Sequence, residues 1–473
     1  MSERTLIIHG WSDCSESFKN IKEFLRNNGF DAESIYYADY ESREDNITYN
    51  DVVDGLNDQL INKGFIDKAG KPIDDINVIV HSTGGLVIRH WIWRYYLRNG
   101  DRINQCPVKR VIMLAPANFG APLAHRGKSV TGSLVKGRWK IGDLFEVGRQ
   151  LLEGLELGSP YQWWLANNDL IINKPYFNSR QIQLTILVGI EDYKGVRSWV
   201  NKPGTDGTVA IAGTSIDSAK LTLDFCNPDK QYEWKYSNPP DDFAFGVLEG
   251  LNHGSIVDSV HPQRETEVGK LILNALKVKN TIDFDSFKEL LEKKTDATYN
   301  RYKDKSKFQQ FIVHAVDDHD VSIRDFTLEF YILMASRKVG GNTVAEDNLT
   351  KKEEEYSTII NDEITKEFHT HSVDLSYRSF LVDTEKIKTI LHDAQQEIEG
   401  NVVLSVRIFV PDIDRGIKFD TSKLQNVILL GPDSQKSDLP SFLYENTTTL
   451  IELKVNRVVG PEYVYVDKAP KKH

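Results

Sequence analysis

A serine that is to act as a nucleophile needs its hydroxyl presented clear of the backbone, a base to take its proton, and donors for the charge it creates. Ser82 is placed for the first of these. The apolar run Ile76-Asn77-Val78-Ile79-Val80 leads into His81-Ser82-Thr83-Gly84-Gly85, and a helical run over 86–96 follows. A serine on a sharp strand-to-helix turn stands above the sheet, beside a helix N-terminus whose N–H groups and dipole favour negative charge. Gly84 lets such a turn close without a Cβ. His9-Gly10-Trp11 ends the first apolar run. A short loop there aims the Trp11 N–H at the same spot, and with the Thr83 N–H it would form an oxyanion hole. His253, in Asn252-His253-Gly254-Ser255, lies after a late strand and before the helix that follows it. A loop at the carboxyl end of the sheet is the place for a general base.

These residues need a scaffold, and the pattern of the first half supplies one. Apolar runs at 5–8, 34–37, 76–80, 108–115, 181–188 and 243–248 alternate with helical spacings, such as Phe18, Ile21, Phe24 and Leu25, then Val52, Leu56 and Leu60. Continuous apolar strands between helices predict a parallel sheet covered on both faces, an α/β fold. Two segments interrupt the rhythm, 118–178 and 226–242, and both read as excursions above the sheet. A last helix is predicted over 266–278, and the charge-dense stretch 281–307 reads as a helix and linker of mixed sign.

From 308 onward period-two alternation takes over: Phe326, Leu328, Phe330, Ile332; Val402, Leu404, Val406, Ile408; Thr449, Ile451, Leu453, Val455. Half-buried antiparallel strands carry that signature, and their succession predicts an all-β, sandwich-like domain over 308–473. The expected division is therefore 1–280, a linker at 281–307, and the β domain.

The motifs of the first part together resemble the α/β-hydrolase superfamily, and within it the lipases and esterases. The resemblance rests on His9-Gly10-Trp11, on Val80-His81-Ser82-Thr83-Gly84-Gly85, on Asp206-Gly207-Thr208-Val209 and on Asn252-His253-Gly254. Ala115-Pro116-Ala117-Asn118-Phe119-Gly120 is similar to the strand end that leads into a lid in many lipases. The resemblance covers residues 4 to about 278. It departs from the G-x-S-x-G pattern at Val80, where glycine is usual.

The resemblance implies Ser82 as nucleophile, His253 as base and Asp206 as the acid that orients the imidazole. Asp192, just after the fifth strand, is the alternative acid. It also implies a carboxylic ester hydrolase, with no cofactor and no metal. The insertion suggests the substrate. Leu152 and Leu155 on a helix face, followed by Trp163 and Trp164, would form an apolar cap for the acyl chain of a lipid or other hydrophobic ester. Acyl transfer or thioester cleavage on the same triad, and a non-catalytic binding role, are the alternatives.

Composition bounds the setting. The chain has 473 residues, 40% hydrophobic and 27% charged, with net charge −11. That balance argues against a nucleic-acid partner, whose phosphates require clustered Lys and Arg. No apolar run approaches the ~18 residues of a membrane span, which leaves room only for peripheral membrane contact. The β domain could add a protein partner. Three scattered cysteines argue against a disulfide framework. The N-terminus shows no secretory-signal pattern, so the expectation is a cytoplasmic protein, or one exported by a route that does not read such a signal. His369 and His371 lack a third ligand nearby and read as a surface strand. Asp317-Asp318-His319-Asp320 reads as a hairpin turn.

Overall fold

A strand that is apolar on both faces must be covered on both, and this is how the first sheet is built. The computed structural model describes residues 4–8, 15–35, 46–98, 102–122, 124, 149–195, 198, 201–227, 232–236, 242–334, 343–344, 349–413, 416–420, 426–429 and 443–460. The strands in chain order begin with β1 (Arg4–Ile8), β2 (Asp31–Ile35), β3 (Ile76–His81), β4 (Val108–Leu114) and β5 (Gln183–Gly189). β6 (Ser218–Asp224) and β7 (Tyr232–Tyr236) belong to another sheet, and β8 (Ala244–Leu248) returns to the first. The first sheet has the order β2-β1-β3-β4-β5-β8, with every neighbouring pair parallel. β3 is buried along its whole length, and its carboxyl end runs into Ser82. In open parallel sheets that end is where ligands bind.

The longer helices of this unit are α1 (Ser15–Asn27), α2 (Tyr49–Asn62), α3 (Gly84–Ile92), α4 (Arg149–Leu155), α5 (Pro160–Asp169), α6 (Glu267–Lys277) and α7 (Thr281–Arg301). Side chains at Thr48, Ser159, Thr266 and Asn280 cap α2, α5, α6 and α7, each satisfying an N–H that the first turn leaves open. A π-helical turn, Trp93–Leu97, continues α3. Among the described residues no helix is long and apolar enough to cross a membrane.

The remaining elements are β9 (Phe308–Asp317), β10 (Thr327–Met334), β11 (Thr343–Val344), α8 (Lys351–Thr365), β12 (Phe368–Thr370), β13 (Tyr377–Asp383), α9 (Thr384–Glu397), β14 (Val402–Phe409), β15 (Ile417–Phe419), β16 (Asn426–Ile428), β17 (Thr447–Val455) and β18 (Arg457–Val459). They form a sheet β10-β14-β16-β11, a sheet β12-β13-β9-β17-β6-β7 and a two-stranded pair β15-β18. The antiparallel pairing of β10 with β14 and of β13 with β9 accounts for the alternation in the sequence. Alternate residues such as Phe311, Phe380, Leu404 and Leu453 fill one apolar core.

Two features depart from the all-β expectation. α8 and α9 lie within this region, and Ile360, Ile364, Ile387 and Leu391 join the same core. β6 and β7 come from the first half of the sequence, one of them inside the segment 226–242 that reads as an excursion. By contacts the chain separates into one unit of Met1–Ser218, Tyr236–Ser306 and Asn446–Thr448, and another of Ala219–Lys235, Lys307–Glu445 and Thr449–His473. The charge-dense segment is mostly α7, in the first unit. Asp317 Oδ1 accepts the N–H groups of His319 and Val321, and Val316 bridges to Ser322. The acidic run there is thus a turn closed by its own carboxylate.

Asp217, at the start of β6, carries a testable consequence. Burial pushes its carboxyl up to about 6 from the usual 3.8. Well below pH 3.8 the group is neutral in folded and unfolded chains alike. As pH rises from 4 to 6 the unfolded chain ionises first, and stability falls until Asp217 ionises in the folded protein as well. Asp217→Asn removes that cost, of about 1–3 kcal/mol. The variant should melt higher than the parent at pH 7.5, and the difference should vanish at pH 3.5 in a thermal scan.

Candidate active site

The turn after β3 places Ser82 in the left-handed region, φ 51°, where a non-glycine residue pays about 1–2 kcal/mol. Backbone bonds hold it there. Ser82 N donates to Leu114 O at 3.2 Å, and Ser82 O accepts from Gly85 N at 3.1 Å and Ala117 N at 3.0 Å. Gly85, in the first turn of α3, is close to its neighbours: a Cβ there would lie 2.8 Å from the Pro116 Cβ. Val80, in the usual glycine position, is fully buried between Ile8 and Met113 in register. It occupies the sheet interior, and the serine keeps the elbow conformation.

Asp206 is fully buried, and its carboxylate is divided by function. Oδ1 accepts from Thr208 N at 3.0 Å and Val209 N at 2.9 Å, which fixes the turn. Oδ2 faces His253 Nδ1 at 3.1 Å. Gly207 has φ 93°, and a Cβ there would meet the Tyr193 ring at 2.7 Å, so the tight turn of this loop depends on that glycine. His253 is also tied by its backbone, N to Asp206 O at 3.0 Å.

His253 Nε2 lies 3.2 Å from Ser82 Oγ. A carboxylate only accepts, so Nδ1 carries the proton and Nε2 is left as the acceptor for the serine hydroxyl. His81, beside the serine, is buried, and its Nε2–H donates to the His253 carbonyl at 3.0 Å. The two imidazoles lie 4.6 Å apart, centroid to centroid. His81 thus supports the loop that carries His253.

Asp192 goes elsewhere. Its carboxylate pairs with Lys305, and Glu191 accepts from the Tyr302 hydroxyl at 2.6 Å. Asp192→Asn should leave ester turnover within about twofold of the parent. Asp206→Asn, which would favour the wrong imidazole tautomer, should lower kcat by about 10³–10⁴-fold. Steady-state kinetics of the two variants on one soluble ester compares them directly.

No family model matches the chain, and no curated protein does. Solved structures do. Phospholipase PlaB from Legionella pneumophila superposes with a TM-score of 0.75 at 21% identity, over 100% of this chain and 97% of that one. A second structure of that phospholipase, in complex with thio-NAD, gives 0.72 at 20% identity and the same coverage. The lipase BlEst2 of Bacillus licheniformis matches at 0.34 and 15% identity, over 54% of this chain and 87% of that one. The chain has an α/β-hydrolase fold, joined to a β-rich domain.

In this hydrolase fold the loop bearing His253 is clamped by α7, a support that the residue pattern did not reveal. β8 is the last strand of its sheet. Its exposed edge is met by side chains of α7: Val247 N donates to Thr295 Oγ1 at 3.0 Å, and Thr298 Oγ1 donates to Val247 O at 2.9 Å. Just beyond, the Tyr302 hydroxyl accepts from Gly250 N at 3.1 Å while donating to Glu191. Glu191 N in turn reaches Leu251 O at 2.8 Å. Gly189 permits that approach, since a Cβ there would sit 2.1 Å from the Leu251 oxygen. Hydroxyls one turn apart on a helix of mixed charge, Thr295, Thr298 and Tyr302, were the available signal.

The residues expected to form a cap are divided. Leu152 and Leu155 are buried, and the Leu155 carbonyl accepts from Ala121 N at 2.9 Å, close to the elbow loop. Trp163 is buried in α5. Trp164 is 36% exposed and packs on Trp93, ring centroids 4.7 Å apart, and on His90 at 5.1 Å. At 1.5 Å per residue those partners lie about 9–14 Å along α3 from its start beside Ser82. Trp164 therefore packs along α3, away from the helix start beside Ser82. Trp11 of the expected oxyanion hole and residues 125–148 of the insertion lie outside the described residues. Thr83 is buried at the N-terminus of α3. Among the described residues no group of His, Cys, Asp and Glu could hold a metal ion.

Proposed function

We propose that the protein is a serine hydrolase that cleaves carboxylic esters of lipids through an acyl-enzyme on Ser82. The observation that carries this reading is the unbroken line Ser82 Oγ, His253 Nε2, His253 Nδ1, Asp206 Oδ2, with separations of 3.2 Å and 3.1 Å. Ser82 Oγ attacks the ester carbonyl as His253 Nε2 takes its proton. The oxyanion forms beside the N-terminus of α3, where the Thr83 N–H and the helix dipole stabilise it. His253 then gives the proton to the leaving alcohol. A water, deprotonated by the same Nε2, attacks the acyl carbon and releases the acid with Ser82 restored. Asp206 keeps the imidazole oriented and stabilises its charged form throughout.

Lipid esters are favoured by the full-length likeness to a phospholipase and by the apolar residues of the insertion near the elbow loop. The test is direct. Folded protein should label covalently with a fluorophosphonate, the adduct should map to Ser82, and phosphatidylcholine vesicles should release fatty acid. Folded protein that neither labels nor releases acid overturns the reading and favours a binding role on this scaffold.

A further inference from the structure

At the end of the sheet opposite Ser82, the amino ends of β3, β4 and β5 and the loops leading into them enclose a cleft of about 710 Å³. Strands of this length rise about 20 Å, so an occupant of the cleft does not touch the triad. The volume lies within the range of small-molecule sites.

The charge of its wall is reversed relative to the chain. In a protein of net charge −11, four cations, Lys109, Arg110, Arg180 and Lys279, line it with two carboxylates, Asp74 and Asp75. Both carboxylates are engaged, Asp75 with Lys109 at 3.3 Å and Asp74 with Arg4 at 3.7 Å. Arg110 is half-buried and donates to neutral oxygens, Asn77 Oδ1 at 3.1 Å and the Val278 carbonyl. The Arg180 and Lys279 side chains make no ion pair or hydrogen bond among the described residues, although their backbone N–H groups donate to Asn178 Oδ1 and Asp283 Oδ2. A second observation is independent of charge. Gln183 donates its Nε2–H to Ser179 O at 3.2 Å, while its Oε1 is buried with no donor among the described residues. A buried acceptor of that kind is costly unless something donates to it.

We propose that this cleft binds a phosphate ester of a polyhydroxy alcohol. The phosphate sits between Arg180 and Lys279, with the fixed Arg110 guanidinium behind it. A hydroxyl of the alcohol donates to Gln183 Oε1 once a rotation of that side chain turns the oxygen into the cleft, and others reach Asp74 and Asp75. Inorganic phosphate satisfies the cations but leaves the alcohol's subsite empty, so an ester is the better ligand. Such a group reaches the protein either as a soluble sugar phosphate or as the head group of a phosphoinositide lipid.

Isothermal titration calorimetry on the full chain at low salt tests this with glucose 6-phosphate, inositol 1-phosphate, inorganic phosphate and glucose. At least one ester should bind saturably and at least tenfold more tightly than inorganic phosphate, with glucose silent. Affinity should fall as salt is added. Arg180→Ala/Lys279→Ala should weaken ester binding at least tenfold while keeping the parent's melting temperature and its turnover of a soluble ester. Flotation with vesicles of phosphatidylcholine, with and without phosphatidylinositol 4-phosphate, separates the two sources: recruitment by the phosphoinositide that the double variant loses assigns the head group, and its absence alongside ester binding assigns the soluble metabolite. No saturable binding, equal binding of ester and inorganic phosphate, or unchanged binding in the double variant each overturns the proposal. Ester turnover and the Ser82 adduct are read separately, so this result stands or falls apart from the hydrolase reading.

Discussion

Ser82→Ala should reduce ester turnover by about 10⁴–10⁶-fold and abolish fluorophosphonate labelling, while the melting temperature stays within about 2 °C of the parent. The size follows from the role: with no oxygen to attack, only binding and the oxyanion donors remain, and removing the nucleophile of such a triad costs nearly as much as removing all of it. The small stability change follows from the geometry. The elbow is held by backbone bonds from Gly85, Ala117 and Leu114, all of which alanine retains. The Ser82 hydroxyl contributes one 3.2 Å bond to His253, worth about 1 kcal/mol net. His253→Ala should be as damaging, and the double variant no worse than either single one, because the pair acts as a unit. Burst kinetics with a chromogenic ester supply the measurement, and a double variant that loses the product of the two single effects would sink the shared mechanism.

Asp169→Ala should destabilise the fold by about 3–5 kcal/mol, because it strands a charge in the core. Arg89 and Asp169 are both fully buried. The guanidinium meets the carboxylate twice, Nε to Oδ2 at 2.8 Å and Nη2 to Oδ1 at 2.9 Å. Nη1 goes to the Asn118 carbonyl at 3.2 Å, and Tyr176 donates to Asp169 at 3.1 Å. Burial works against the Arg89 charge, yet Asp169, helped by Tyr176 and Tyr161, holds the group above its ordinary pKa. In a unit of this size the loss corresponds to a fall in melting temperature on the order of 10 °C. Replacing both members, Arg89→Met with Asp169→Leu, should recover much of the loss, since no unpaired charge then remains. Arg89 also holds Asn118, whose side-chain oxygen would lie 3.1 Å from a Cβ on Gly85. Asp169→Ala should therefore lower kcat moderately even where the protein is still folded, measurable as activity per folded molecule at 10 °C.

Much of the candidate site was legible because its parts are local. The elbow is a strand, a turn and a helix within about twenty residues, and Asp206-Gly207-Thr208-Val209 closes its turn with its own carboxylate. Other local signals stand in the same sequence. Thr350 and Glu353 form a capping box at the start of α8, followed by Tyr356, Ile360 and Ile364 at helical spacing. Ser218–Asp224 alternates buried and half-exposed residues as an antiparallel strand does. Both were hidden by the expectation of one kind of element in each half of the chain.

The residue pattern alone was enough to specify the class of the first sheet, the turn that carries Ser82 and the pool of candidate acids and bases. Burial period and turn chemistry act between residues a few positions apart, so a pattern suffices to express them. The choice between Asp206 and Asp192 required the folded chain. Each follows the fifth strand, and the difference is the partner: His253 for one, Lys305 for the other, supplied 47 and 113 residues further along. The clamp by Tyr302 on the loop that carries His253, the remoteness of Trp164 from Ser82, and the gathering of Arg180, Lys279 and Gln183 into one cleft have the same origin. Each depends on side chains made neighbours by strand order and helix packing, and no periodicity along the chain records that.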